Sequence, residues 1–232
     1  MKYLCKSLLV LFVLVSFCAI SVQAAPIGYT DQASFLAALS GPTRILDFDS
    51  MTYGDIIADG DTVEGITFNY DLGGVQMMVT DDFGGSYPTT SSPNLLGTDD
   101  GDMFQDGDGF ELTFAPSYAI GMYFITADEM YDYDITLTAG GISVGLDVGA
   151  GEFLGTDDFS MEWYAYFLGI VDDTNAFSMA SIITDGGPGG PYFLYNVDDI
   201  TTAAPVPEPG TLLLICTGLM GLVYARRRRR LI

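Results

Sequence analysis

Hydrophobic and polar positions alternate in short runs along most of the chain, and this period-two pattern predicts β-strands rather than helices. The runs are rich in Ile, Val, Tyr, Phe and Thr, whereas clusters of Gly, Asp, Pro and Ser between them favour turns. Repeated short strands of this kind predict a mainly β fold, a jelly-roll-like two-sheet sandwich in one domain. The predicted strands are Arg44–Phe48, Gly65–Tyr70, Val75–Val79, Phe110–Phe114, Ala119–Thr126, Asp134–Thr138, Ile142–Val148, Ser160–Ile170, Phe177–Ile183 and Tyr192–Ile200.

A single short helix is predicted ahead of the first of these strands, because the apolar spacing there changes to a helical period. Thr30 is the expected N-cap, and Asp31 lies in the first turn, where the helix dipole favours a negative charge. Gly41-Pro42 ends the pattern. The apolar stripe of this helix consists of Phe35, Leu36 and Leu39.

The N-terminal residues have the pattern of a secretory signal peptide. Lys2 and Lys6 precede an apolar run, and small residues follow it at a cleavage position after Ala24. Residues 1–24 are therefore the expected signal peptide, and the rest of the chain is expected to leave the cytoplasm. The sandwich domain is assigned to residues 25–200 and is followed by a short stalk, residues 201–205.

A second apolar segment, residues 212–225, lies near the C-terminus and predicts a single transmembrane helix. Its fourteen residues rise only about 21 Å, which is less than the roughly 30 Å hydrocarbon core. A span this short suits a segment that is held briefly and then cut, although a plain membrane anchor is the alternative. The arginine cluster that would hold this end in the cytoplasm is Arg226, Arg227, Arg228, Arg229 and Arg230.

Histidine and cysteine usage exclude several classes of chemistry. The chain contains no His, and its three cysteines are Cys5, Cys18 and Cys216, all in the two apolar segments. The exported domain therefore contains no disulfide, no cysteine nucleophile, no Ser-His-Asp triad and no His/Cys zinc site. Glutamates are few and show no Glu-x-Asp-x-x-Glu arrangement typical of sandwich glycanases, so no enzymatic activity is expected.

Charge narrows the class of partner. Arg44 is the only basic residue between residues 25 and 205, and 30 acidic residues against this one base give a net charge near −29. Such a surface repels nucleic acid and anionic lipid. The expected partners are cations, above all calcium, or neutral glycans. A surface acidified for solubility, as in a saline habitat, is the alternative.

The acidic pairs near the first and last predicted strands resemble the calcium clamp of jelly-roll domains, where those two strands lie side by side. Asp47 and Asp49 are two residues apart, so a strand would project both from one face. Asp198 or Asp199 on the neighbouring strand would complete a set of oxygen ligands for Ca²⁺. The alternative is that these side chains cap turns or face water.

A denser acidic run, residues 99–109, does not form an EF-hand. From Asp100, the fifth and sixth positions are Phe104 and Gln105 instead of a ligand and the required Gly. We interpret this run as a solvated loop between strands.

The aromatic residues include one candidate sugar platform. Trp163 lies in a predicted strand with Tyr164, Tyr166 and Phe167, and alternation places Trp163 and Phe167 on the opposite face from the two tyrosines. An exposed Trp163 ring would stack on a sugar, whereas packing in the core is the alternative. Ice binding is a third possibility, but the sequence contains no regular Thr-x-Thr array.

The C-terminus resembles a PEP-CTERM sorting signal, a tail type also labelled an ice-binding protein C-terminal domain. The resemblance rests on a short box, the apolar segment and the arginine cluster, which occur in this order within residues 206–232. It implies that a membrane-embedded exosortase recognises the box, cuts the tail and passes the protein to the cell surface or beyond. The box consists of Val206, Pro207, Glu208 and Pro209.

Seven further segments are similar to exported PEP-CTERM sandwich proteins: residues 45–49, 65–68, 91–96, 112–114, 119–121, 167–170 and 196–200. Together these features predict an exported cell-surface or extracellular-matrix protein with a non-catalytic structural or adhesive role, with calcium as a candidate stabilising ion. The alternative is a carbohydrate-binding module of an exopolysaccharide or biofilm matrix.

Overall fold

The structure is a computed structural model that describes residues 25–82, 87–157, 160–184 and 192–204. The expected signal peptide, the predicted transmembrane segment and the whole sorting box lie outside these residues. Within them the chain forms the helix α1 (Gln32–Ala38), one 3-10 turn (Val148–Ala150) and sixteen strands. The strands are β1 Ile27–Tyr29, β2 Thr43–Leu46, β3 Ile56–Ile57, β4 Thr62–Val63, β5 Ile66–Tyr70, β6 Met77–Asp81, β7 Asn94–Thr98, β8 Phe104–Gln105, β9 Phe110–Ser117, β10 Ala119–Thr126, β11 Ile135–Ala139, β12 Ile142–Gly145, β13 Glu152–Thr156, β14 Glu162–Val171, β15 Phe177–Thr184 and β16 Leu194–Ala203.

The strands form two antiparallel sheets, which confirms the predicted mainly β, two-sheet class with one helix. The larger sheet has the order β1-β14-β10-β16-β7-β6-β3, with β13 on β14 and both β2 and β8 on β16. The smaller sheet has the order β12-β11-β15-β9-β5-β4. Leu46 of β2 lies opposite Ile200 of β16, so the first predicted strand and the last are neighbours, as expected.

The main core lies between the two sheets. Its side chains come from alternate positions of the facing strands, as the sequence pattern requires. Phe104 and Tyr195 are fully buried and stack with their ring centroids 5.1 Å apart. Tyr164 and Tyr166 of β14 face this core. This layer stabilises the sandwich chiefly by removing apolar surface from water.

A second hydrophobic layer covers the outer face of the larger sheet. Phe35 of α1 is fully buried there and packs on Phe167 of β14, with ring centroids 5.1 Å apart. Gly121 and Gly169 lie opposite each other in the sheet, and a Cβ atom on Gly169 would come within 2.6 Å of the Phe35 ring. The two glycines therefore make room for the helix. Because both faces of β10 are covered, all eight of its residues are buried.

The helix begins one residue later than predicted. Asp31, not Thr30, is the N-cap, and its carboxylate accepts a hydrogen bond from the backbone N–H of Ser34 at 2.7 Å. Of the predicted apolar stripe, Phe35 is buried and Leu39 packs against the same cluster, but Leu36 is 40% exposed. The helix is thus attached mainly through one phenylalanine.

The last strand is longer than the sequence analysis predicted. β16 continues through Ala203 and is hydrogen-bonded to β2 and β10 up to that residue. Thr201 to Ala203, assigned to a stalk from their composition, are therefore part of the sheet. Six strands were not predicted: β1, β3, β4, β7, β8 and β13.

No helix in the described ranges is long and apolar enough to cross a membrane.

Candidate functional site: a buried carboxylate network

Asp198, in the middle of β16, is completely buried and lies in a cradle of hydrogen-bond donors. The hydroxyl groups of Thr89 and Thr90 donate to its Oδ2 atom at 2.7 and 2.8 Å. Ser91 donates its backbone N–H to the same oxygen at 3.0 Å and its hydroxyl at 3.2 Å. The Oδ1 atom accepts from the backbone N–H of Asp199 at 2.8 Å. The carboxylate thus holds the loop before β7 against the central strand.

The electrostatic environment of this carboxylate opposes its ionisation. Burial and the nearby charge of Asp199 raise the pKa of Asp198 to about 7, although the hydrogen bond from the Ser91 N–H works in the opposite direction. Burial also raises the pKa of Asp199, and the carboxylates of Asp47 and Asp49 add to that rise. The network therefore favours a proton on at least one of its acids near neutral pH.

Asp47 and Asp49 do not lie in a strand, contrary to the sequence prediction. Phe48 between them has a φ of +59°, in the left-handed region, so the strict alternation of an extended strand is broken. The two residues form a turn, in which Asp47 Oδ1 accepts from the Asp49 N–H at 3.2 Å. Asp49 Oδ1 accepts from the Asn94 N–H at 2.9 Å, and the Asn94 amide donates to the carbonyls of Phe48 and Met51. The turn is thereby attached to β7.

Asn196, two residues before Asp198, makes a second connection from β16. Its side-chain amide donates to the backbone carbonyls of Leu96 at 3.1 Å and Asp102 at 2.7 Å. Its Oδ1 atom accepts a short hydrogen bond from the Tyr87 hydroxyl. Asn196 is fully buried, so these three bonds satisfy a side chain that would otherwise be costly in the core.

Three of the seven segments that prompted the sequence resemblance therefore meet in one buried network: residues 45–49, 91–96 and 196–200. Thr89 and Thr90, which the sequence analysis did not single out, also belong to it. A run of four hydroxyl side chains at residues 89–92 was the available signal. Within the described residues every fully buried side-chain N or O atom has a hydrogen-bond partner, so the network is complete without a further group.

Of the four candidate calcium ligands, the fold brings Asp199 near Asp47 and Asp49, whereas Asp198 is engaged in its own hydrogen bonds. Both oxygens of Asp198 accept hydrogen bonds from the protein, whereas Asp199 lies within electrostatic range of Asp47 and Asp49. Among residues 25–82, 87–157, 160–184 and 192–204, no group of three or more His, Cys, Asp or Glu side chains is placed to hold a metal ion. The calcium site stays a prediction.

Trp163, the candidate sugar platform, is buried. Only 5% of its surface is exposed, and its ring lies 4.2 Å from that of Tyr87, centroid to centroid. Its indole N–H donates to Asp157 Oδ2 at 3.1 Å. Alternation placed Trp163 and Phe167 on one face of β14, as the structure shows, but that face is covered. The exposed ring expected of a sugar-stacking residue is therefore not found here.

Carboxylates of the acidic loop before β9 accept hydrogen bonds from backbone N–H groups, both within the loop and from the segment before β6. Asp99 accepts from the Gln76 N–H at 2.9 Å, and Asp108 accepts from the Gln105 N–H at 2.7 Å. The Tyr195 hydroxyl donates to the carbonyl of Asp108 from the core side. These contacts agree with the interpretation of residues 99–109 as a loop rather than an EF-hand.

An open groove of about 430 Å³ crosses the outer face of the smaller sheet. Asn69, Glu111 and Ser181 line it from the neighbouring strands β5, β9 and β15 and form one row across the sheet. Ile183 and Tyr70 contribute apolar surface. The groove thus combines polar and acidic groups with apolar surface in one concave face.

The family model described as the PEP-CTERM protein-sorting motif matches residues 205–230. This chain carries a PEP-CTERM sorting motif. A comparison of the chain with curated proteins gave no match. The motif begins one residue after Ala204, the last described residue of the sandwich, and includes the predicted box Val206, Pro207, Glu208 and Pro209.

A PEP-CTERM motif implies an exported protein that is transiently anchored in the membrane and processed by an exosortase. The motif contains the arginine cluster predicted to fix membrane topology, Arg226 to Arg230, which like the box lies outside the described residues. It identifies how the protein is delivered, whereas the sandwich must supply what it does afterwards.

Proposed function

We propose that the sandwich of this PEP-CTERM protein is a non-catalytic structural or adhesive component of the cell surface or extracellular matrix. The jelly-roll arrangement and the single membrane span of the tail are part of this proposal. The observation that carries it is the buried network around Asp198. The segments that contain the candidate calcium ligands are hydrogen-bonded to one another within the domain. They join β2, β7 and β16 in a domain that contains no disulfide.

The sorting half of the proposal is tested by changing the box. Replacing Pro207, Glu208 and Pro209 with Ala in cells that contain the cognate exosortase should leave the tail attached and the protein in the membrane fraction. The matched control changes Pro116 and Glu129, which are exposed in the sandwich, to Ala. Equal tail removal from both variants would contradict exosortase sorting through this box.

A second candidate function, binding of an extracellular polysaccharide, is favoured by the groove on the smaller sheet. Here Glu111 and Ser181 would bind sugar hydroxyls, in place of the buried Trp163. Glutamate and serine side chains offer acceptors and donors that suit a neutral glycan.

The two functions are separated by complementation. Cells without this protein should form a matrix that disperses more easily, and the wild-type chain should restore it. A double variant, Glu111→Gln with Ser181→Ala, should restore the matrix equally well if the role is structural. Failure of this variant to restore a matrix, despite normal export, would favour polysaccharide binding over the structural role. Asn175→Ala, an exposed change outside the groove, is the control.

A further inference from the structure

Both ends of the sandwich leave from the same end of the larger sheet. Ile27 near the start lies opposite Val171, which lies opposite Ala119, which lies opposite Ala203 at the end of β16. Thr43 continues this row on the other side of Ala203. Since neighbouring strands are about 4.8 Å apart, the two ends of the domain leave within roughly 15 Å of each other. We call this part of the sandwich, formed by residues 25–27, 39–43, 115–119, 140–141, 171–176 and 203–204, the tail end.

The connection from the tail end to the sorting motif is short. β16 is paired on both sides through Ala203, and the Ala204 N–H donates to the Pro42 carbonyl at 3.0 Å. Glu208 follows four residues later, so it lies within about 14 Å of Ala204 even in a fully extended chain. The apolar segment starts at Leu212, within about 29 Å. A domain of this size is about 40 Å across, so the tether is shorter than the domain is wide.

Charge is distributed unevenly between the two ends of the sandwich. The connections at the opposite end that link β7 to β9 and β10 to β11 contain nine acidic residues: Asp99, Asp100, Asp102, Asp106, Asp108, Asp128, Glu129, Asp132 and Asp134. At the tail end, and on the hairpin beside it, the described residues contain only Glu64, Asp172 and Asp173. Asp172 is buried and accepts hydrogen bonds from Thr174 and Asn175.

The one basic residue of the sandwich lies beside the tail end. Arg44 lies opposite Thr202 and lines a groove of about 290 Å³ together with Pro42, Pro116 and Ala204. Its guanidinium donates to the carbonyl of Glu64 at 2.6 Å, so the Glu64 carboxylate is not its partner in this bond. The groove therefore contains one positive charge, Arg44, and one negative charge, Glu64, beside two prolines.

We propose that the tail end is a membrane-facing surface, which rests on the outer face of an anionic bilayer while the sorting segment is still attached. The short tether keeps the tail end close to the membrane. Because the tail end has few acidic residues and lies beside Arg44, anionic lipid repels it less than it repels the acidic opposite end. This difference in repulsion turns the acidic end away from the bilayer. The proposal rests on the sorting function only in requiring that the tail enters a membrane. Its consequence is that Pro207 to Pro209 are presented between the sandwich and the lipid.

The test uses the full chain in vesicles of phosphatidylethanolamine and phosphatidylglycerol that contain a headgroup-linked fluorescence quencher. Cys5, Cys18 and Cys216 are changed to Ala, and one dye is attached at Ala115→Cys or at Glu129→Cys. Ala115 is exposed at the tail end, and Glu129 is exposed at the opposite end. We expect the dye at residue 115 to lose much of its fluorescence and the dye at residue 129 to be unaffected. A long Gly/Ser insert after Ala204 should remove the difference.

Equal quenching at the two positions, or stronger quenching at residue 129, would overturn the proposal, because the sandwich would then rotate freely or point the other way. A chain that does not sediment with the vesicles would also overturn it. The sorting function is tested separately by tail removal in cells. If the tail is removed normally but the two dyes are quenched equally, the proposed membrane-facing surface is wrong and the sorting function still holds. Circular dichroism of both labelled variants shows whether they are folded.

Discussion

The hydroxyl and the backbone N–H of Ser91 both donate to the buried carboxylate of Asp198, 107 positions later in the chain, at 3.2 and 3.0 Å. This pair joins the loop before β7 to the centre of β16. An exported domain of this kind often relies on disulfides, but here the long-range connection is made by hydrogen bonds to one acid. Because a buried carboxylate is costly unless every oxygen is satisfied, the loop and the strand stabilise each other only when both are in place.

Removing the carboxylate should destabilise the domain strongly. Asp198→Ala leaves the Thr90 hydroxyl and the backbone N–H groups of Ser91 and Asp199 without their acceptor, and we expect a loss of about 3 kcal/mol or more in the free energy of unfolding. The measurement is urea unfolding of the purified exported protein. Asp173→Ala, an exposed acid on a loop, is the control and should change the value by less than about 0.5 kcal/mol. A similar small effect of Asp198→Ala would show that the network contributes little.

Stability should fall as the pH rises from about 4 to about 7. The pKa of Asp198 is about 7 in the folded protein and 3.8 for the ordinary side chain, so the folded state keeps a proton that the unfolded chain releases. This contribution is complete below pH 4 and is lost as the pH passes through 7. Burial raises the pKa of Asp199, Asp108 and Asp134 in the same direction, so their effects add.

The matched variant for this pH dependence is Asp198→Asn, which keeps the shape of the side chain but cannot ionise. Compared with wild type, its deficit in unfolding free energy should be largest at pH 5 and smallest at pH 8. Thermal melts of both proteins across this range measure it. Parallel curves for the two proteins would assign the pH dependence to other acids.

The single tryptophan should report a buried site. Since Trp163 is packed against Tyr87 and only 5% exposed, its emission should be blue-shifted, weakly quenched by iodide and unchanged by oligosaccharides. Trp163→Ala should cost about 3 kcal/mol or more through the cavity that it leaves, whereas Trp163→Phe should cost less. A shift of the emission on adding a glycan, without unfolding, would contradict this and restore Trp163 as a binding residue.

The sequence was most informative where both faces of a strand are buried. The apolar run Ala119–Thr126 matches β10 at both ends, because a continuous run of this length between turn residues has few other interpretations. β7 was missed because it follows Pro93 and contains Asn94 and Gly97, which weaken a strand pattern. Both residues have a structural role in the folded protein. Asn94 donates hydrogen bonds to the turn after β2, and a Cβ atom on Gly97 would clash with the Asp102 carbonyl.

For the candidate site, too, the local sequence pattern predicted the face of a strand but not what covers it. Alternation correctly assigned Trp163 and Phe167 to one face of β14, but the pattern of one strand does not show that α1 and the Tyr87 loop cover that face. Likewise, the positions of Asp198 and Asp199 beside the first strand were expected, yet the donors that satisfy Asp198 come from residues 89–91, far away in sequence. Long-range contacts of this kind are not encoded in local periodicity.

The helix should be sensitive to one methyl group in the sheet beneath it. Gly169→Ala would bring its new Cβ atom to 2.6 Å from the Phe35 ring, and we expect a loss of about 1–3 kcal/mol from overpacking. Gly101→Ala is the matched control, because a Cβ atom there meets nothing within 4 Å. Urea unfolding compares the two variants. If Gly169→Ala is as stable as Gly101→Ala, α1 is not packed on the sheet as described.

The calcium prediction is tested on the predicted ligands Asp47, Asp49, Asp198 and Asp199. Both oxygens of Asp198 already accept hydrogen bonds, and within the described residues no three acidic side chains are placed to hold a metal ion. The carboxylates of Asp47 and Asp49 add to the effect of burial in raising the pKa of Asp199, so a cation bound near Asp199 would relieve this repulsion. We predict that millimolar Ca²⁺ raises the midpoint of thermal unfolding and that Asp199→Asn removes most of this rise. Sodium chloride at equal ionic strength is the control, since screening alone would also relieve repulsion. An equal rise with sodium, or none with calcium, would leave these acids as turn and surface residues.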